Sequence, residues 1–454
     1  MPIGAGPRRF YVELYKEHLD EASFLYGQRL SLLDNPEMTW KDLAEFEERF
    51  EAHIDALVVG KDLALEMCRD AAVEGDYGEL HAAVRVFCRQ RQLDSLFGLL
   101  EGLKPTDEQK VRAMRDALKH ELPEEWTDEF LSRLSSGDPR LAIVFPEVFG
   151  YRRVQRACQV LERLAGSEVP DPATVLWALG RLGASSSALP SLKECLTRSE
   201  SDVQKAAALA LARLGNKDIV AHCAQVVPQN SWAALILGLA ADRSAVNLLL
   251  ERVRNRTADR NVLLGLGLLG DMAAVEVLQS YLSNADLGES AALALNLITG
   301  AQLYEQVFIP ELVDEDELFD EERGTLKQGE PFMRPDGRPY GSTVTRLSLK
   351  LEAWQRWWSA NKLRFDPNLR YRNGKPYSPA RLLENLVSEQ SPRQVRQLAY
   401  EEFVIRYAVD FPFETDMSVA QQEVALTQYA EWVKVNGDHF QEGSWYFAGQ
   451  LQRG

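Results

Sequence analysis

Residues 178–183 read ALGRLG, and close variants of this segment return along the chain as ALARLG at 210–215, GLGLLG at 265–270 and ALNLITG at 294–300. A weaker copy, LILGLA at 235–240, divides the longest interval, which leaves a period of roughly 30 residues. A recurring unit of this size predicts stacked helical repeats, because each unit needs a neighbour against which to bury its apolar face.

Each unit is predicted to be a helix, a turn and a second helix. In the clearest unit the first helix runs from Ala173 to Leu182 and ends at Gly183, and the second carries Leu189 and Leu192. Alanines would let neighbouring helices approach closely, and leucines would fill the layer between units. Glycines such as Gly183 would end the first helices with positive φ. The expected fold is therefore an all-α solenoid.

The periodicity divides the chain into four parts. We predict a helical N-terminal cap over 1–60, a repeat solenoid over 61–305, and a C-terminal helical region over 347–454. Between the last two lies an acidic, Gly/Pro-rich insertion over 306–346, which reads as a long loop or an irregular segment with room for one short hairpin.

Composition and charge limit the classes of function that the protein can have. The chain has 454 residues and a formal net charge of −17, which argues against nucleic acid as a partner. It lacks an apolar run of the roughly 18 residues that a membrane span needs, and its first residues lack the apolar core of a signal peptide. These features predict a cytoplasmic protein that does not span a membrane.

A search for chemistry is mostly negative. The sequence has no phosphate-binding glycine loop, no HExxH and no GxSxG. The five cysteines form no CxxC pair, so buried thiols are expected rather than a zinc site. Only His120-Glu121 has the His-Glu form from which deoxyhypusine hydroxylases build their di-iron site. We therefore predict no catalytic residues, no metal and no cofactor.

Two features of the C-terminal part leave alternatives open. Trp354, Trp357 and Trp358 share one helical face, which favours a core that seals the solenoid but also suits a partner-binding hot spot. The basic stretch 362–396 could bind an acidic partner or RNA, or could pair with the acidic run 309–322 of the same molecule. That acidic run lacks the glycine and spacing of an EF-hand loop, and a solvated face is the simpler interpretation.

Two stretches resemble known proteins. Residues 178–300 resemble HEAT repeats of the short, bacterial PBS-lyase-like kind. The N-terminal pattern, from Glu21-Ala22-x-Phe24-Leu25 to His53-x-Asp55-x-Leu57, is similar to the opening of an uncharacterised bacterial HEAT-repeat family associated with type VI secretion gene clusters. The resemblance implies a bacterial cytosolic accessory protein that helps a secretion effector or a spike-complex protein, and it transfers no catalytic residue.

The second helices of the repeats are expected to line a concave face and to bind the partner. They would present a polar, mildly basic set of residues, and two tryptophans of the helix around Trp354 are added as candidate contacts. The candidate partner-binding residues are Lys193, Arg198, Arg243, Asn247, Arg252, Gln279, Trp354 and Trp357.

The sequence thus predicts a non-enzymatic protein–protein interaction scaffold, as an adaptor or effector chaperone accessory to type VI secretion. The alternatives are a lyase-like HEAT-repeat enzyme and a structural subunit of a larger assembly. Neither the partner nor the oligomeric state follows from the sequence.

Overall fold

A computed structural model describes residues 5–183, 188–310 and 338–452 of the chain. The N-terminal part consists of three helices, α1 (Ala5–Leu32), α2 (Leu43–Val59) and α3 (Lys61–Glu74). From the sequence, Thr39 with Asp42 three residues later predicts an N-cap and a helix from Trp40 to Val58, and this predicted start is wrong. The Asp42 carboxylate accepts a hydrogen bond from the Thr39 backbone N–H at 2.7 Å, and the helix begins after this turn, at Leu43.

The solenoid is built from alternating first and second helices. The first helices are α4 (Tyr77–Arg89), α6 (Glu108–Glu121), α8 (Pro139–Tyr151), α10 (Pro172–Leu182), α12 (Ser201–Arg213), α14 (Trp232–Ala240), α16 (Arg260–Leu269) and α18 (Gly288–Thr299). The second helices are α5 (Leu93–Gly102), α7 (Thr127–Ser135), α9 (Cys158–Ala165), α11 (Leu189–Cys195), α13 (Asp218–Val226), α15 (Ser244–Arg254) and α17 (Val275–Gln279). Each first helix packs on the next, so these eight helices form a continuous ladder.

Small residues set the spacing of this ladder. A Cβ placed on Gly180 would lie 2.9 Å from the Cα of Ala210, so α10 and α12 approach as closely as their backbones allow. Gly183 and Gly215 both have φ of 68°, which confirms the predicted left-handed conformation after α10 and α12. The repeating Gly/Ala positions therefore account for the tight packing and for the ends of the helices.

The chain leaves the solenoid through an antiparallel hairpin. Strand β1 (Tyr304–Pro310) pairs with β2 (Gly341–Leu347), and Pro310 lies opposite Gly341 at the described end of the hairpin. Most of the predicted acidic run and of the Gly/Pro-rich stretch, residues 311–337, lies outside the described residues.

The C-terminal region contains four helices and two small hairpins. The helices are α19 (Leu351–Asn361), α20 (Pro379–Val387), α21 (Arg393–Tyr407) and α22 (Val419–Asn436). The hairpins are β3 (Tyr371–Arg372) with β4 (Lys375–Pro376), and β5 (Tyr446–Phe447) with β6 (Gln450–Leu451). Ser418 followed by Gln421 three residues later predicts a capping box at the start of the last helix, and the structure confirms it. The Ser418 hydroxyl accepts from the Gln421 backbone N–H, and the Gln421 side-chain oxygen accepts from the Ser418 backbone N–H.

This region runs back along the solenoid and covers the C-terminal ends of the first helices. The Arg370 guanidinium donates to the carbonyl of Leu268 in α16 at 2.7 Å, and Arg406 donates to Gly238 in α14 at 2.8 Å. The last carbonyls of a helix lack intrahelical partners and carry partial negative charge, so guanidinium groups stabilise them. Docking of the C-terminal region therefore completes the hydrogen bonding of the repeats.

The same region reaches the N-terminal helices. The Arg29 guanidinium of α1 donates to the carbonyl of Asp416 at 2.9 Å, and the Val419 backbone N–H donates to the Glu47 carboxylate at 2.8 Å. The fold is therefore an all-α solenoid whose C-terminal region contacts both its last repeats and its first helices.

Candidate functional site

Two arginines of the predicted second-helix surface form ion pairs and hydrogen bonds within the molecule. Arg243 pairs with Asp271 at 2.7 Å and donates to the carbonyl of Pro367 at 2.6 Å. Arg252 donates to the carbonyls of Val227 and Thr257. These bonds join neighbouring units, and the Arg243 side chain is still 40% exposed, so partner binding by the two arginines stays a prediction.

The remaining second-helix residues differ in exposure. Gln279 is buried, with 6% of its surface exposed, and its amide lies 3.4 Å from the carbonyl of Trp354. Its predicted exposure is wrong, because α19 packs over the end of α17. Lys193 pairs with Asp218 at 2.7 Å, Arg198 is half-buried and Asn247 is exposed. Partner binding by these residues stays a prediction.

The tryptophan helix, α19, belongs mainly to the core. Trp354 is 1% exposed, and its indole N–H donates to the carbonyl of Ser348 at 2.6 Å. Trp358 is also buried and packs on Phe365, whereas Trp357 remains half-buried. The core interpretation therefore holds for Trp354, and its prediction as a partner contact is wrong.

Three arginines of the basic stretch 362–396 are buried. The guanidinium groups of Arg370 and Arg372 lie 2.6 and 3.0 Å from the Glu402 carboxylate, and all three side chains are buried. Arg396 donates to the carbonyl of Leu386. These three arginines bind α20, α21 and the repeat ends, whereas Lys362, Arg364 and Lys375 are exposed. Pairing of the stretch with the acidic run, most of which lies outside the described residues, and binding of an acidic partner or RNA both stay predictions.

The structure places a large cleft elsewhere, between the first helices of the middle repeats and α21. This repeat cleft has a volume of about 720 Å³ and is lined by residues of α6, α8, α10, α12, α14 and α21 and of the segment 414–416. Three half-buried apolar side chains lie along one wall, Trp177 of α10, Leu209 of α12 and Leu235 of α14. The opposite wall includes Leu398 of α21.

Buried ion pairs fix the opposite wall of the repeat cleft. The Arg181 guanidinium of α10 pairs with the carboxylates of Glu401 and Glu414, and Arg213 of α12 pairs with Glu401 at 2.5 Å. Burial raises the pKa of the Glu401 carboxyl, but the two arginines outweigh it and hold that pKa below its usual value. The carboxylate therefore stays ionised and keeps α21 at a set distance from the repeats.

A second set of charges closes one end of the cleft. The buried Lys119 ammonium contacts three carboxylates, at 3.0 Å from Asp116, 2.5 Å from Glu147 and 3.3 Å from Asp416. Burial raises the pKa of the Asp416 carboxyl. The Lys119 charge opposes this effect, and the pKa is lowered to about 2. The cleft thus has rigid, internally paired polar ends and an apolar wall.

Sequence reasoning missed this cleft because it placed the binding surface on the second helices. Trp177 is the residue that could have indicated the cleft. This large aromatic residue directly precedes the ALGRLG segment, whose alanine and glycines allow close helix packing. Such a side chain cannot enter the tight space between α10 and α12 that Gly180 and Ala210 define. It therefore has to lie at the margin of the ladder, where it meets the cleft.

The described residues bring no metal centre together. Within them there is no cluster of three His, Cys, Asp or Glu side chains that could hold an ion. No helix in the described part of the chain is both long and apolar enough to cross a membrane. The five cysteines all lie in the described ranges, form no disulfide there, and four of them are buried.

Comparison with known proteins supports the repeat assignment. Residues 127–212, which extend from α7 into α12, match the family described as HEAT repeats. The fold is that of a HEAT-like α-solenoid. No curated protein and no solved structure matched the chain. The matched HEAT repeats include α10 and α12, which contribute Trp177 and Leu209 to the repeat cleft.

Proposed function

We propose that this HEAT-repeat protein is a non-enzymatic interaction scaffold that holds a segment of a partner protein in the repeat cleft. Stacked helical repeats characteristically offer long surfaces to protein partners. The apolar wall of the cleft supports the proposal, because successive first helices each contribute one half-buried apolar side chain: Trp177, Leu209 and Leu235. A row of this kind suits a chain segment that runs across the repeats.

The energetics favour an apolar segment over a charged one. Covering an exposed leucine or tryptophan contributes roughly 1.5–3 kcal/mol for each side chain that becomes fully buried. The charged groups at the cleft ends already have partners within the molecule, as Lys119 and Arg181 show. A partner segment would therefore gain affinity from apolar side chains, with polar contacts at the cleft margins setting its orientation.

We further propose that the scaffold acts as an adaptor or effector chaperone accessory to type VI secretion. The similarity of the N-terminal pattern around Phe24 and His53 to a family associated with those gene clusters supports this role. In that setting the partner would be a secretion effector or a spike-complex protein met in the bacterial cytoplasm. The repeat cleft would hold one of its segments before export.

The test compares two double variants of the full chain as baits. Leu209→Glu with Leu235→Glu places charge on the apolar wall, whereas Val73→Glu with Val435→Glu changes two valines that are 68% and 70% exposed outside the cleft. Affinity purification from the organism of origin, followed by mass spectrometry, should recover the partner with wild type and with the valine variant. The leucine variant should lose it.

Equal recovery by both variants would overturn the cleft proposal. The purified partner is then measured directly by calorimetry against each bait, which separates specific binding from background capture. An enzyme would instead show turnover of a small molecule. A structural subunit would be recovered within a stable stoichiometric assembly.

A further inference from the structure

We infer that a second cavity, at the N-terminal end of the solenoid, binds a guanidinium group carried on an apolar chain. This N-terminal cavity lies between α1, α2, α4, α6 and the start of α22, and it has a volume of about 740 Å³. Ligand sites for small molecules are typically about 300–1,000 Å³ in volume. The inference does not depend on the proposed function of the repeat cleft.

Aromatic faces form one side of the N-terminal cavity. The rings of Tyr26 and His81 stack with centroids 3.8 Å apart and an interplanar angle of 6°, and the Phe50 ring lies 5.4 Å from His81. Guanidinium groups stack on such faces because they are planar and weakly hydrated. Arg85 already does so, with its guanidinium carbon 5.0 Å from the centre of the Phe50 ring.

The charge of the lining favours a cation. The cavity is lined by eight carboxylates and three guanidinium groups. Each of those arginines is already paired, for instance Arg29 with Glu47 at 2.8 Å and Arg85 with Glu121 at 2.5 Å. Arg89 and Lys119, which do not line the cavity, pair with five of these carboxylates. Eight carboxylates thus face five paired cations, and an added cation would still meet net negative charge.

In the described part of the chain, two of these carboxylates form no ion pair, although the charge of Lys41, which pairs with Glu389, also acts on Glu423. Glu48 of α2 and Glu423 of α22 are exposed, and within the described residues neither side chain makes an ion pair or a hydrogen bond. They belong to different helices on the wall of the same cavity. A guanidinium group between them could donate to one or both carboxylates.

A buried acceptor inside the cavity supports the same ligand. His81 is 4% exposed, and in the described part of the chain neither of its ring nitrogens is hydrogen-bonded. Burial, and after it the charge of Arg85, holds the pKa of His81 well below its usual value, so the ring is neutral and keeps one acceptor nitrogen. A guanidinium group has five N–H donors and no acceptor, which complements this lining.

The test is calorimetric titration of the full chain with the butylguanidinium ion. Butylurea, a neutral analogue of the same shape, is the control ligand. We expect the ion to bind and the urea to bind at least about tenfold more weakly, because the excess carboxylates act only on the charged ligand. Glu48→Gln with Glu423→Gln should weaken binding of the ion about five- to tenfold, as expected for two exposed ion pairs.

Two further variants complete the design. Glu251→Gln with Glu276→Gln changes two exposed carboxylates on α15 and α17 and should leave binding unchanged. Ala44→Phe adds a ring to the cavity wall and should abolish binding while circular dichroism stays as in wild type.

A capped Gly-Arg-Gly peptide separates the sources of the ligand. If this peptide binds as well, the ligand of the cavity is an arginine side chain of a protein. If only the free ion binds, the ligand is a small molecule.

The inference is overturned if neither the ion nor the peptide binds, or if butylurea binds as tightly as butylguanidinium. It is also overturned if the Glu48 and Glu423 substitutions have no larger effect than the Glu251 and Glu276 substitutions. Because Glu48 and Glu423 do not line the repeat cleft, loss of the protein partner in the bait experiment leaves this result unaffected.

Discussion

The Lys119 ammonium lies 3.3 Å from the Asp416 carboxylate, although 297 residues separate the two positions in the chain. The pair joins α6 of the solenoid to the segment that precedes α22. Asp416 also lines both the repeat cleft and the N-terminal cavity. One ion pair therefore fixes the wall that the two cavities share.

Asp416→Asn should lower the free energy of unfolding by about 1–2 kcal/mol at neutral pH. The loss is moderate because Lys119 keeps Asp116 and Glu147 as partners. Urea denaturation followed by circular dichroism measures it. A matched substitution at an exposed carboxylate, Asp202→Asn, should change stability by less than about 0.5 kcal/mol. Equal effects of the two would contradict the role given to the pair.

The same carboxylate predicts a dependence of stability on pH. The pKa of Asp416 is lowered from 3.8 to about 2 in the folded chain, so its contribution is complete above pH 4 and is lost as the pH falls towards 2. Up to about 2 kcal/mol of stability should disappear in that window. The melting temperature of Asp416→Asn should fall less steeply there than that of wild type. Parallel curves would count against this assignment.

Gly183→Ala should destabilise the protein by more than about 1 kcal/mol, because Gly183 has φ of 68° and an alanine is strained in that conformation. Gly98 offers the opposite case. It lies inside α5 with open space around its Cα, so Gly98→Ala should stabilise by about 0.5–1 kcal/mol. Thermal unfolding of both variants measures these effects. A fall in melting temperature for both would show that backbone conformation at Gly183 and helix propensity at Gly98 do not explain the two effects.

Arg406→Lys should cost about 2–4 kcal/mol. The Arg406 guanidinium is fully buried and donates to the carbonyls of Gly238, Ala241 and Tyr446, which a single ammonium cannot reach together. Hydrogen exchange should accelerate in α14 and in α21. Arg198→Lys, at a half-buried position on the solenoid surface, should leave exchange unchanged, and acceleration there of similar size would contradict the capping argument.

Removing residues 311–337 should leave the solenoid folded. Pro310 and Gly341 face each other across the hairpin, so the remaining residues 338–340 form a three-residue connection of a length that hairpins commonly use. The melting temperature should stay within a few degrees of wild type. We also expect weaker partner binding from the deletion, measured with the partner identified by affinity purification. Normal binding would show that the insertion takes no part in recognition.

The repeats could be predicted because their constraints are local. The backbone approach at Gly180 and the left-handed conformation at Gly183 both follow from residues within one unit and its neighbour. The capping box at Ser418 likewise follows from residues within one helical turn, and the structure confirms it. Where a helix end or a close contact depends on a few adjacent residues, residue type alone indicates the conformation.

The packing of the C-terminal region could not be predicted in this way. Arg181 and Glu414 are 233 residues apart and share no periodicity, so nothing in the sequence associates them. Arg370 and Arg372 were interpreted as part of a surface charge run, yet both are buried by partners that lie elsewhere in the chain. The repeat cleft depends on this long-range packing, which is why the sequence placed the binding surface on the second helices instead.

The C-terminal region acts as a tie of fixed length between the two ends of the solenoid. Arg370 contacts α16 while Asp416 contacts α6, so the 45 residues between them must match the span of the repeats in between. One more repeat would lengthen that span by about 8–10 Å, the usual distance between packed helices. Open solenoids tolerate gain and loss of units by duplication and deletion. In this protein any change in the number of repeats between α6 and α16 has to be matched by a change in the length of the tie.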